Sequence, residues 1–145
     1  MLALYQPDIA QNTGTLIRLA TCLGIKLAII EPCGFVFGDK FMARAAMDYA
    51  EQAAVERHAG WDAFQTQRRG RRLISIETGT TLPYTEFVFQ PDDILLLGRE
   101  SAGTPPEILS ACDAGVYIPM QAGVRSLNVA IAGAIVTGEA LRQTR

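Results

Sequence analysis

Polar side chains occur in this sequence where predicted strands and helices meet. Asn12 precedes a predicted helix, and asparagine is a common helix N-cap. The backbone N–H groups at the start of a helix also favour an anion such as phosphate. Arg18 follows six residues later in the same helix. The segment Asn12–Arg18 predicts either a simple cap with an exposed Arg18 or an anion-binding site.

A second junction follows a strand that is apolar throughout. Gly98 and Gly103 have the GxxxxG spacing of a phosphate loop, but Thr104 replaces the required lysine and Pro105 lacks an N–H donor. These differences exclude a P-loop nucleotidase, and the absence of a GxGxxG motif argues against a nicotinamide enzyme. Ligands of parallel sheets bind beyond the carboxyl ends of strands. Glu100 is therefore either an exposed turn carboxylate or a site residue.

A third junction links the last predicted strand to the last predicted helix. A loop containing Gly123 connects the two elements, and Ser126 begins the helix. Serine is a good N-cap, and Asn128 is an ordinary residue in a first turn. Taken alone, this junction indicates only a capped helix.

Strands alternate with helices along the chain, and strands such as Ile94–Leu97 are entirely apolar. This pattern predicts an α/β fold with a mostly parallel sheet covered on both faces. No linker, repeat or low-complexity tract interrupts it, so residues 1–145 are expected to form a single domain. The predicted strands are Leu2–Tyr5, Lys26–Ile30, Leu73–Ile76, Glu86–Phe89, Ile94–Leu97 and Gly115–Ile118, and the predicted helices are Thr13–Leu23, Asp39–Glu51, Trp61–Gln67, Pro105–Ala111 and Leu127–Arg142.

The composition excludes several classes of protein. Hydrophobic residues make up 49% of the 145 residues and charged residues 19%, which is typical of an ordinary globular protein. The longest nearly apolar stretch, Leu127–Val136, is too short for a membrane span of about 20 residues. With no basic leader, the chain is expected in the cytoplasm. The three cysteines are distant in sequence and predict small buried side chains, and a lone His58 makes a metal site improbable.

The charge pattern leaves two interpretations open. The net charge is −2, so the whole molecule does not resemble a strongly basic nucleic-acid binder. Arginine supplies 11 of the 13 basic residues, and four arginines fall within Arg68–Arg72. That cluster is either a phosphate-binding patch or a solvated loop.

The last helix is rich in small residues, including Ala130, Ala132, Gly133, Ala134 and Gly138. Each glycine lowers helix propensity by about 1 kcal/mol relative to alanine, so a close packing contact is expected to compensate. The partner in that contact is either the sheet of the same subunit or a helix of a second one.

Together the junction motifs resemble those of the SPOUT superfamily of RNA ribose methyltransferases, most closely its small single-domain enzymes that act on the tRNA wobble position. The resemblance covers nearly the full chain. It rests on Asn12–Gly14 with Arg18, Leu97–Glu100, Ile118–Met120, Ser126–Asn128, and the segments Ile30–Pro32 and Gly34–Phe35.

The resemblance implies a C-terminal deep trefoil knot, a homodimer, and S-adenosylmethionine as the methyl donor, with no metal. It implies methylation of the ribose 2′-hydroxyl of nucleotide 34, a cytidine or modified uridine, in the anticodon loop of leucine tRNAs. The implied donor contacts are Ile76, Gly98, Ile118 and Ser126, with Leu97, Met120 and Leu127 beside them, and the implied catalytic residues are Arg18, Asn12, Glu100, Ser126 and Asn128.

One departure from the superfamily pattern is Ala130, where a polar residue often follows the serine–leucine–asparagine motif. Two alternatives to the wobble-position activity remain. One is methylation of another RNA, and the other is a knotted RNA-binding protein without catalytic activity.

Overall fold

The computed structural model describes residues 1–38, 40–47, 49 and 53–145. Its strands are β1 (Leu2–Tyr5), β2 (Leu27–Ile30), β3 (Val55–His58), β4 (Leu73–Ile76), β5 (Leu82–Pro83), β6 (Ile94–Leu97) and β7 (Ala114–Tyr117). Its helices are α1 (Ala10–Leu23), α2 (Lys40–Ala46), α3 (Trp61–Arg68), α4 (Pro106–Ser110) and α5 (Val129–Thr144), with a 3-10 turn at Tyr84–Glu86.

The described strands form one sheet in the order β3-β2-β1-β6-β4-β7-β5, and all their pairings are parallel. The four strands β1, β2, β4 and β6 are buried along their whole length, as expected for apolar strands covered on both faces. The predicted α/β class with a mostly parallel sheet is therefore confirmed.

Alternate strand residues contribute to two cores on opposite faces of the sheet. In β1, Leu2 and Leu4 pack on the face covered by α1, α2 and α5, whereas Ala3 and Tyr5 pack with Phe64 of α3 and Ile108 of α4. Because every strand is parallel, all carboxyl ends lie at one edge of the sheet. The order reverses between β1 and β6, which is where open α/β sheets bind ligands.

The small residues of α5 allow close packing within the same subunit. A Cβ placed on Gly133 would lie 2.8 Å from Leu97 Cδ1 and 3.0 Å from Leu16 Cδ2. Helix α5 therefore packs tightly on β6 and α1. A Cβ on Gly138 would meet no described atom within 4 Å, so Gly138 is not required for this packing.

Several predicted boundaries were wrong. Helix α1 begins at Ala10 with Ile9 as its N-cap, and the N-cap of α5 is Asn128 and not Ser126. Of the predicted helix Asp39–Glu51, Lys40–Ala46 is helical. Both predicted ends, with Asp48 and Ala50, lie outside the described residues.

Three strand predictions also need correction, and one of them is the missed two-residue strand β5. The segment Glu86–Phe89 is not a strand, because Phe87 and Phe89 stack edge to face at 4.8 Å and Gln143 of α5 bonds to the backbone of both. Strand β3 was missed since its sequence is mostly polar, as an edge strand permits.

His58 is buried at the end of β3, where it predicts a pH dependence of stability. It is 3% exposed, its ring meets Phe64 edge to face at 5.3 Å, and neither ring nitrogen has a partner among the described residues. Burial lowers the pKa of His58 below 6.5, although the nearby Glu56 opposes this shift. The unfolded chain therefore binds the proton more readily, and the stabilising effect of neutral His58 is lost as the pH falls below about 6.5.

We expect the free energy of unfolding to fall between pH 6.5 and 5 by at most about 1.4 kcal/mol per pH unit because of His58. His58→Phe keeps an aromatic ring against Phe64 and removes the titration, so its unfolding free energy should be flatter over this range. Urea unfolding at several pH values measures the difference. Equal slopes for both proteins would contradict this role of His58.

Candidate active site

A cavity of about 410 Å³ lies at the carboxyl ends of β4, β6 and β7, beside the first turns of α1 and α5. Of the eleven predicted site residues, ten line this cavity and only Arg18 does not. The ten are Asn12, Ile76, Leu97, Gly98, Glu100, Ile118, Met120, Ser126, Leu127 and Asn128. Three motifs that are far apart in sequence thus meet at one place.

A chain of hydrogen bonds fixes these motifs relative to one another. Asn12 Nδ2 donates to Glu100 Oε1 at 3.1 Å, and Asn128 Nδ2 donates to Asn12 Oδ1 at 2.9 Å. The other Glu100 oxygen accepts from the Asp8 backbone N–H at 2.7 Å. Asn128 Oδ1 also caps α5 by accepting from the Ala130 N–H at 2.9 Å. The three side chains therefore hold the start of α1, the loop after β6 and the start of α5 together.

The loop after β6 is a tight turn with its own ionic anchor. Arg99 and Gly103 exchange backbone hydrogen bonds of 3.2 and 2.8 Å. The Arg99 guanidinium donates to Asp8 Oδ1 at 2.8 Å, and the Ser101 N–H donates to Asp8 Oδ2 at 3.1 Å. The Arg99 bond and then the Ser101 bonds lower the pKa of Asp8 to about 2. Asp8 therefore stays ionised and ties this loop to the end of β1.

Glu77 lines the cavity together with Glu100 and directly follows Ile76. Its Oε2 accepts from the Thr104 N–H at 3.2 Å and its Oε1 from the Thr78 N–H at 3.3 Å. The sequence analysis did not identify Asp8 or Glu77, and it included Arg99 in the Leu97–Glu100 motif without giving it a role. For Glu77 the available signal was its position directly after Ile76, and no spacing rule identifies Asp8.

Arg18 lies outside the cavity of its own chain. Its side chain is exposed on α1, and its guanidinium carbon lies 5.7 Å from the centre of the Tyr49 ring. Six residues of helix place it about 9 Å along α1 from Asn12. Arg18 therefore does not reach the ten other predicted residues within this chain.

The cavity rim is open and partly apolar in the single chain. Residues 121–128 are all exposed, although three of them line the cavity. Ile9 is 42% exposed, Leu127 39% and Ile131 51%. An apolar rim of this kind is typical of a surface that another molecule covers.

The arginine cluster lies at the opposite edge of the sheet, before the amino end of β4. Arg68 pairs with Asp113 at 2.9 Å, Arg71 donates to a backbone carbonyl, and Arg72 makes two bonds of 2.8 and 2.7 Å to Asp93. These three arginines are thus engaged within the fold, which favours a structural role over a free phosphate-binding patch.

Arg72 offers a direct test of that role. Asp93 is 4% exposed, so Arg72→Ala would leave a buried carboxylate without its cation. Because the arginine itself is one-third exposed, we expect a loss of about 2 kcal/mol of unfolding free energy, less than for a fully buried pair. Lys26→Ala, at an exposed pair with Glu56, should change stability little. Urea unfolding measures both, and equal effects would contradict the structural role.

The described residues contain no group of three or more potential metal-ligating side chains, and none of the described helices is long and apolar enough to cross a membrane. Among the cysteines, Cys22 is exposed, so the prediction of a buried side chain was wrong there. Cys33 and Cys112 are partly buried, and burial raises the pKa of both thiols to about 11.

Comparison with known proteins identifies the family. The sequence profile of the SpoU rRNA Methylase family matches residues 1–138. The chain is a member of the SpoU methylase family. A relative from Beijerinckia indica, named tRNA (cytidine(34)-2′-O)-methyltransferase, is 55% identical over 145 residues, which cover 99% of this chain and 91% of the relative.

Solved structures, one of them titled as a SpoU methyltransferase, show the same fold. One, titled as giving structural insights into the 2-OH methylation of C/U34 on tRNA, has a TM-score of 0.94 at 38% identity and covers 98% of this chain and 93% of its own. AviRb from Streptomyces viridochromogenes, in complex with the cofactor AdoMet, has a TM-score of 0.87 at 26% identity. The match covers 98% of this chain and 59% of the AviRb chain. The predicted SPOUT fold, a parallel sheet with a C-terminal trefoil knot, is confirmed by this family membership.

Proposed function

We propose that this protein transfers a methyl group from S-adenosylmethionine to the ribose 2′-hydroxyl of nucleotide 34, a cytidine or modified uridine, in the anticodon loop of tRNA. The observation that carries the proposal is the convergence of ten predicted site residues on one cavity at the carboxyl edge of the sheet. The name of the Beijerinckia relative supports the choice of nucleotide and hydroxyl.

The cavity suits the proposed donor. Its volume of about 410 Å³ falls in the usual range of small-molecule sites, about 300–1,000 Å³. Ile76, Leu97 and Ile118 supply apolar walls for the donor, with Gly98, Met120, Ser126 and Leu127 beside them. Bound there, S-adenosylmethionine supplies a methyl group on a positively charged sulfur.

The reaction requires position and charge from the protein. The 2′-oxygen gains the methyl group and loses its proton, while the sulfonium becomes a neutral thioether. A guanidinium keeps its proton in proteins, so Arg18 does not act as the base. Arg18 instead binds the phosphate that flanks nucleotide 34 and stabilises negative charge developing on the hydroxyl oxygen, and the proton passes to phosphate or water.

Asn12, Glu100, Asn128 and Ser126 orient the reacting groups. The bonds from Asn12 to Glu100 and from Asn128 to Asn12 fix both amides at the cavity wall without any ligand. Such preorganised polar groups accelerate a reaction because they need no rearrangement in the transition state. Ser126, exposed at the rim and not needed as the cap of α5, is available to contact substrate.

A homodimer is part of this proposal. Arg18 lies outside the cavity of its own chain, whereas the end of the exposed segment 121–128 lines that cavity and the nearby Ile131 is 51% exposed on α5. Covering this rim with a second copy buries the apolar side chains and places an arginine of one subunit near the cavity of the other. The active site would then form between two copies of residues 1–145, each folded as one domain.

The proposed substrate is a cytoplasmic leucine tRNA, read through its unpaired anticodon loop. An unpaired loop exposes both base and ribose, so the protein need not open a duplex. Lys40 and Arg44 are both exposed on α2, which packs against α1, the helix that carries Arg18. They are therefore better candidates for phosphate contacts than the engaged residues Arg68, Arg71 and Arg72.

The test is methyl transfer to defined RNA. Purified protein is incubated with unmodified leucine tRNA and donor carrying a radiolabelled methyl group, and the label is mapped by nuclease digestion. The expected product carries one 2′-O-methyl group at nucleotide 34, and tRNA with a 2′-deoxy nucleotide 34 should receive none. Label at another nucleotide would refute the substrate, and donor binding without transfer to any RNA would refute the activity.

A further inference from the structure

Glu77 holds its carboxylate at the cavity without a cationic partner among the described residues. Both oxygens accept hydrogen bonds from neutral backbone N–H groups, those of Thr78 and Thr104. The carboxylate also lies against Gly103, where a Cβ would be 3.4 Å from Oε2. These contacts hold Glu77 between the end of β4 and the loop after β6.

The other charges at the cavity do not neutralise Glu77. Arg99 is paired with Asp8, and Glu100 accepts from the Asp8 N–H and from Asn12. Among the described residues, the acids Glu77 and Glu100 and the base Arg99 line the cavity, and together with Asp8 they give a local charge of about −2. A partly enclosed cavity with this balance favours a positively charged ligand, because charges interact more strongly away from bulk water.

We infer that Glu77 is a specificity residue that makes the cavity prefer the sulfonium methyl donor over the neutral thioether product. The inference rests on the proposed function, and it follows from the charge change of that reaction. The donor and the product share the same nucleoside and amino-acid groups and differ at sulfur by one methyl group and one positive charge. A carboxylate that attracts this positive charge therefore raises the affinity for the donor relative to the product, which favours product release.

The test is the affinity of donor and product for Glu77→Gln, measured by calorimetry without RNA. The glutamine keeps the size and one acceptor oxygen of the side chain. We expect the Kd of S-adenosylmethionine to rise about tenfold and that of S-adenosylhomocysteine to change less than about twofold. Glu77→Asp keeps the charge and should retain most of the preference for the donor.

Glu107→Gln is the matched control, since it removes one exposed carboxylate from α4 on the opposite face of the sheet. It should leave both Kd values unchanged. Thermal unfolding of each variant shows whether the protein as a whole still folds. The ratio of the two Kd values is the informative quantity, because loosening of the loop weakens both ligands alike.

Equal weakening of both ligands by Glu77→Gln would overturn the inference and assign Glu77 a purely structural or ribose-binding role. Unchanged values for both ligands would also overturn it. If the wild-type protein nevertheless binds the donor and methylates tRNA, the proposed function holds and only the inference about Glu77 fails. If the wild-type protein binds neither ligand, the proposed function fails as well.

Discussion

Replacing Arg18 with alanine is expected to lower kcat about 100- to 1,000-fold while leaving the Kd of S-adenosylmethionine unchanged. The loss in kcat follows from removing a cation that stabilises charge in the transition state. The unchanged Kd follows from the position of Arg18, which is exposed on α1 and does not line the cavity. Single-turnover methylation and calorimetry measure the two quantities separately.

Arg18→Lys is the control for charge alone. A lysine retains the positive charge but lacks the planar fork that binds phosphate through two hydrogen bonds, so only partial activity should return. Unchanged turnover in Arg18→Ala would remove Arg18 from the mechanism. A large rise in the donor Kd would instead mean that Arg18 contributes to donor binding.

Mixing two inactive variants tests whether the arginine acts across a subunit interface. In a mixed dimer of Arg18→Ala with a variant unable to bind donor, one cavity retains its donor site and faces an intact arginine from the other subunit. We expect activity to reappear after the two proteins are unfolded and refolded together. No recovery in verified mixed dimers would place Arg18 in the site of its own chain.

Replacing Gly98 with alanine is expected to weaken donor binding by about 5- to 150-fold, corresponding to an overpacking cost of about 1–3 kcal/mol. The added Cβ would lie 2.3 Å from Thr104 Oγ1 and 2.7 Å from the Gly103 carbonyl carbon. The turn after β6 must then open, which moves Arg99 and Glu100 away from their partners. Calorimetric titration with S-adenosylmethionine measures the loss.

Gly79→Ala is the matched substitution in a neighbouring loop. A Cβ on Gly79 would meet no described atom within 4 Å, so donor affinity should remain at the wild-type value. Equal donor affinity in Gly98→Ala and the wild type would show that the turn after β6 does not shape the donor site. Thermal unfolding of both variants separates local distortion from global unfolding.

The centre of the sheet was predictable because its strands are unbroken apolar runs, such as Ile94–Leu97, and such runs occur where helices cover both faces. The edge strand Val55–His58 was not predictable, because its mostly polar residues show no alternation of apolar and polar side chains. The segment containing Phe87 and Phe89 resembles a strand locally, but its contacts with α5 decide its conformation.

In the candidate site, too, the sequence motifs predicted which residues take part but not which of them contact each other. Family motifs identified ten residues that share one cavity, although no local signal places Asn12 beside Asn128, 116 residues later. Local propensity assigned Asn12 to a helix cap, whereas its side chain is used for a tertiary contact with Glu100. Glu77 was missed because its distinguishing feature is a carboxylate without a cationic partner among the described residues. That feature is visible only when the folded neighbours of Glu77 are known.

The link from Asn12 to Asn128 has a consequence for synthesis of the protein. The ribosome makes the chain from its amino end, so Asn128 is synthesised 116 residues after Asn12. Until then the first helix lacks its distant amide partner and the cavity lacks one wall. A nascent chain that has not reached Asn128 therefore has an incomplete cavity, and α5 must dock before the proposed methyl donor can be held there.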